Sequence, residues 1–98
     1  MKVRWSAESK VNLRAIGRYI ARDKPIAGRA WVQKLRQCAH DAADIPWMGR
    51  VVPEFCRPDV REVFLRTYRI VYRIAADHIV VVKVVDGRKR LEGVDPDV

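Results

Sequence analysis

Tyr68-Arg69-Ile70-Val71-Tyr72-Arg73-Ile74 is apolar enough for a sheet strand, yet it places arginines four positions apart. Side chains alternate across a strand, so Tyr68, Ile70, Tyr72 and Ile74 share one face while Arg69, Val71 and Arg73 share the other. The first face reads as core. The second reads as open: its arginines either stand in water on the free side of an antiparallel sheet or offer bidentate donors to a carboxylate or phosphate.

Working outward from this strand, Ala76-Asp77 is a turn into a strand over residues 79–85. There Val80, Val82 and Val84 face one way, and Ile79, Val81, Lys83 and Val85 the other. A strand apolar on both faces belongs inside a sheet covered on at least one side by helices. Beyond Gly87 come Arg88-Lys89-Arg90-Leu91 and a polar end, Asp95-Pro96-Asp97-Val98, so residues 88–98 are expected to be a partly flexible tail. Before the central strand, residues 61–66 form its hairpin partner through a turn near Thr67, and Arg57-Pro58-Asp59 is another turn. Residues 50–56 contain Pro53, which restricts them to an edge strand or a bulge.

The first half follows a different period. Lys2 to Trp5 alternates as a short strand, and Ser6 is an N-cap ahead of a helix whose buried stripe is Leu13, Ile16 and Ile20. Lys10, Arg14, Arg18 and Arg22 recur every four residues, a ridge of like charges that weakens the helix slightly. It is either a solvated face or a binding feature. Asp23-Lys24-Pro25 opens a second helix with proline at its first position. Ala27, Trp31, Leu35, Cys38, Ala42 and Ile45 make its apolar face, and Pro46-Trp47-Met48-Gly49 ends it. The expected fold is α+β: an N-terminal strand and a two-helix hairpin packed on a small antiparallel sheet of three to four further strands, in one domain over 1–98.

Twenty Lys and Arg against 12 Asp and Glu give a formal charge of +8, which implies an acidic partner. Cys38 and Cys56 have no metal-ligand spacing and read as reduced core residues, so no metal site and no cofactor are expected. His40 and His78 read as surface histidines. No apolar run is long enough for a signal sequence or a membrane span, and the expected location is the cytoplasm.

Four stretches in order resemble the RelE/ParE toxin superfamily of type II toxin–antitoxin systems, in particular its ParE-like branch. They are the first helix with Leu13, Ile16, Tyr19, Ile20 and Ala21 followed by Asp23-x-Pro25; Pro46-x-x-Gly49-Arg50-Val51-Val52-Pro53-Glu54; Arg61-Glu62 leading into Tyr68 to Ile74; and the valine-rich strand ending in Gly87-Arg88-Lys89. The resemblance implies a growth-inhibiting toxin neutralised by the extended, commonly acidic segment of a cognate antitoxin, with which it forms a hetero-oligomer. ParE-type members poison DNA gyrase. RelE-type members are ribosome-dependent endoribonucleases that cut mRNA.

A nuclease needs a general base, a general acid and cations for the developing phosphorane charge. By resemblance Arg69 and Lys89 supply cations and Glu54 or Glu62 a base, but the C-terminal His or Tyr of the nuclease branch is absent, with Asp86 standing where relatives carry His. The expectation is therefore a non-enzymatic gyrase-binding toxin, with the ribosome-dependent nuclease as alternative. The expected target- or antitoxin-binding residues are Arg50, Arg61, Arg69, Arg73, Arg88, Lys89 and Arg90.

Overall fold

The computed structural model describes residues 1–98. Strand β1 (Lys2–Trp5) leads into helices α1 (Ala7–Ala21) and α2 (Pro25–Asp44), a 3-10 turn (Pro46–Met48), and strands β2 (Arg50–Val51), β3 (Val60–Leu65), β4 (Tyr68–Ile74) and β5 (His78–Asp86). The expected α+β order is observed, and the four strands after the helices run antiparallel. β1 adds a fifth strand, pairing in parallel with β5, so the sheet order is β1-β5-β4-β3-β2. β4 is central, and the edge strand expected over residues 50–56 is confined to β2 at Arg50–Val51, with Pro53 already in the turn after it.

Ser6 caps α1, its Oγ accepting from Ser9 N at 3.1 Å and donating to Val82 O at 2.9 Å, while Asn12 Oδ1 accepts from Val84 N at 3.0 Å. One cap and one amide thus fasten the helix to β5. The two helices approach closely at Gly17 and Gly28: a Cβ at Gly28 would stand 2.6 Å from Gly17 O and 2.9 Å from Ala21 Cβ. Only glycine permits that distance.

The helix pair covers one face of the sheet. Leu13, Leu35 and Ala39 meet Ile70, Val81 and Val84, and Ala42 and Ala43 meet Tyr72, Ile74 and Ile79. Trp31 is half-buried at the margin, edge-on to Tyr68 at 5.9 Å, and Ile45 is exposed rather than part of the apolar face. The simple alternation expected for β5 fails at a bulge. Val71 pairs with Lys83 and Tyr72 with Val81, leaving Val82 as the extra residue. Val81 and Val84 consequently both join the helix-side core, while Val82 faces away.

The other face of the sheet is not open, contrary to expectation. Val52, Val60, Val71, Val82 and Leu91 form a third cluster under the loop between β2 and β3 and under the C-terminal segment. Leu91 is 7% exposed, and burying such a side chain contributes about 1.5–3 kcal/mol. Arg73 Nε donates to Pro96 O at 2.9 Å, and Arg57 bridges Asp59 and Asp97. Leu91, Pro96, Asp97 and Val98 of the segment expected as a partly flexible tail therefore contact the sheet and the loop before β3. Cys56, expected in the core, is exposed and adopts a positive φ of 52° in the loop. No helix is long and apolar enough to cross a membrane.

Candidate functional site

Arg69 projects from β4 toward the loop-covered face, where alternation puts it, but it is only 5% exposed. Its Nε donates to Glu62 Oε1 at 2.7 Å, and its two terminal nitrogens donate to the two carboxylate oxygens of Glu54, each at 3.0 Å. Arg50 Nε closes the set by donating to the second oxygen of Glu62 at 2.7 Å. Glu62 stands beside Arg69 because β3 and β4 pair Glu62 with Val71 and Phe64 with Arg69, while Glu54 arrives from the loop after β2. Two cations and two carboxylates cancel. The Arg69 guanidinium holds the Glu54 carboxyl well below its ordinary range, at about 2, and Arg69 itself is raised by Glu54 and Glu62.

Arg69 is thus not the exposed binding cation expected from the strand alone. A fully buried Glu62 drives this: an uncompensated carboxylate there is costly, so guanidinium donors converge on it. Both oxygens of each glutamate accept from guanidinium donors, and a Glu54 carboxyl at about 2 accepts protons poorly at neutral pH.

The arginines singled out on β3, on β4 and just after β5 are also committed to the chain itself. Arg61 donates to the carbonyls of Trp47, Gly49 and Pro58 and lies 5.3 Å over the Trp47 ring. Arg73 holds the C-terminal segment through Pro96 and Val98 carbonyls. Arg88 closes on Asp86 at 2.7 Å, lowering that carboxyl to about 2. His78 Nδ1 stands 2.7 Å from the Asp77 carboxylate, far from the arginine set. No cluster of His, Cys, Asp or Glu is placed to hold a metal ion.

Of the basic residues singled out near the C-terminus, Lys89 and Arg90 make no ion pair or side-chain hydrogen bond. The larger set of free cations lies elsewhere. A groove of about 570 Å³ runs between α1 and α2 on their outer side, with Leu13, Gly17, Ala21, Gly28 and Val32 toward its floor. Arg14, Arg18, Arg29 and Arg36 line it, no carboxylate does, and none of the four is in an ion pair. Sequence reasoning found Arg14 and Arg18 as part of a ridge but missed Arg29 and Arg36. Their seven-residue spacing on α2 was the available signal, since two helical turns return to the same side.

A model of the ParE toxin family, "ParE toxin of type II toxin-antitoxin system, parDE", matches residues 3–91. No curated protein matches the sequence. Among solved structures, a chain of the chromosomal ParDE toxin–antitoxin system from P. aeruginosa superposes with a TM-score of 0.74 at 18% identity, over 88% of this chain and 95% of that one. That likeness carries the fold alone. The family match spans both helices, β2 to β5, most of β1 and Leu91, so the chain belongs to the ParE toxin family of type II toxin–antitoxin systems.

Proposed function

We propose that this chain inhibits growth by binding DNA gyrase and is silenced by an acidic, amphipathic antitoxin helix laid in the groove between α1 and α2. The observation that carries the silencing half is that groove: four unpaired arginines around an apolar floor, with no acid of the chain's own. A helix with apolar residues along one stripe and acids on its flanks is the natural complement of such a surface. Gyrase binding rests on membership of the ParE family together with the state of the alternative site. Arg69, Glu54 and Glu62, three of the four residues offered for RNA cleavage, are engaged with one another and with Arg50, which leaves Lys89 alone of that set unpaired. The exposed residues left to meet the target are Lys89 and Arg90, with Arg88 beside them.

Expression without antitoxin is expected to bring filamentous growth and a DNA-damage response with messages intact, and the purified protein to block supercoiling by gyrase. Rapid translation arrest with cleaved mRNA would overturn this in favour of the ribosome-dependent nuclease. Replacing Arg14, Arg18, Arg29 and Arg36 together by Gln is expected to leave inhibition in place but release the protein from its antitoxin. Full neutralisation of that variant would remove the groove from the reading while leaving the target question untouched.

A further inference from the structure

Between the middle of α1, the start of β4 and the end of β5 lies a second cleft, of about 760 Å³, that neither the arginine set nor the helical groove uses. It opens on the helix side of the sheet, whereas Arg69 projects to the other side. One wall is aromatic. Tyr19 is 70% exposed, and Tyr68 is half-buried with its ring braced edge-on by Trp31. Neither phenol hydroxyl has a hydrogen-bond partner within the protein, although Tyr72, the third tyrosine, gives its own to Pro46 O at 2.7 Å.

The opposite rim is cationic. Lys83, Arg88, Lys89 and Arg90 line it against one carboxylate, Asp86, which Arg88 already occupies. Lys83 stands 3.5 Å from Glu8, so Lys89 and Arg90 are the charges without compensation. An exposed Tyr19 ring and the uncovered part of Tyr68, lining one cleft with an ammonium and a guanidinium, combine the two attractions that a nucleotide offers, a flat ring to stack and a phosphate for a bidentate donor. An acidic peptide would use the cations and leave the rings idle. The volume falls within the range of small-ligand sites, about 300–1,000 Å³.

We infer that this cleft binds one nucleotide unit, with its phosphate against Lys89 and Arg90 and its base against Tyr19 and Tyr68. The unit is either a free nucleotide or one residue of a single strand. The cleft shares Lys89 and Arg90 with the surface proposed to meet gyrase and shares nothing with the antitoxin groove, so it is tested on the isolated protein by nucleotide binding, a readout separate from supercoiling inhibition. It is tested by following backbone amide resonances of the labelled protein during titration with AMP, GMP, UMP and inorganic phosphate, and by anisotropy with short labelled single-stranded DNA and RNA.

Saturable shifts centred on Tyr19, Tyr68 and Lys89 are expected. Tyr19→Ala, and separately Lys89→Gln with Arg90→Gln, should each weaken binding by roughly tenfold while the amide spectrum stays folded. Binding to oligonucleotides well above that of mononucleotides assigns the site to a strand, and the converse assigns it to a free nucleotide; both uphold it. The inference is overturned if no probe saturates in the millimolar range, if inorganic phosphate binds as well as the nucleotides, if a glutamate-rich peptide competes equally, or if Arg14→Gln with Arg18→Gln weakens binding as much.

Discussion

The arginines of the sheet and those of the helical hairpin look alike on paper and behave oppositely in the folded chain. Arg50 and Arg69 are locked onto Glu54 and Glu62, Arg73 onto the C-terminal segment, and Arg61 onto three carbonyls. Arg14, Arg18, Arg29 and Arg36 line a groove with no partner at all. A net charge of +8 therefore says little about where a partner binds. What decides it is which cations the fold has already matched with its own acids, because a matched guanidinium has little left to offer.

The largest test of that contrast is Arg69→Ala. Removing the cation leaves buried Glu62 and half-exposed Glu54 with one shared guanidinium fewer, and stability should fall by about 3–5 kcal/mol in urea denaturation. A stable, folded Arg69→Ala protein that has lost only its toxicity would show instead that Arg69 is a contact residue. A smaller loss, about 1–3 kcal/mol, is expected for Gly49→Ala, whose new methyl would run into the Tyr72 hydroxyl and the Glu62 carbonyl beneath the network. Unchanged thermal unfolding of that variant would mean that the turn before β2 moves aside freely.

Acid probes the same set. Because Arg69 depresses the folded Glu54 carboxyl to about 2 from an ordinary 4.5, its stabilisation is present above pH 4.5 and fades as pH falls toward 2. Unfolding midpoints measured across that window should drop for the parent chain and drop less for Glu54→Gln, which starts lower; parallel curves would deny Glu54 the role. The smallest effect belongs to the helical groove. Changing its four arginines to Gln should alter stability by no more than about 0.5 kcal/mol each, since nothing in the chain pairs with them. A loss of several kcal/mol there would erase the distinction between the two regions.

Much of the architecture was legible because it is local. Period-two alternation delimits β4 at Tyr68–Ile74, Ser6 and Pro25 mark the helix starts, and Pro53 marks the sheet edge. The site was less so. Glu54 and Glu62 lie 15 and 7 residues from Arg69, and no spacing rule links a loop acid, a strand acid and a strand arginine until β3 and β4 pair in register. The bulge at Val82 was equally silent, since every residue from Ile79 to Val82 is apolar and either phase satisfies the pattern.

Sequence alone thus determined the order of elements and the helix-side face of β4, which depend on periodicity and neighbouring residues, and its resemblance to the ParE-like branch pointed to the family that the match over residues 3–91 shows. Tertiary structure alone decided that the second face of β4 is closed and Arg69 neutralised. It also decided that Leu91 packs against the second face of the sheet, and that free positive charge collects on the helices and beside Tyr19 and Tyr68. The physical reason is that a side chain's charge is set by its identity, whereas its availability depends on partners brought close only when distant segments fold together.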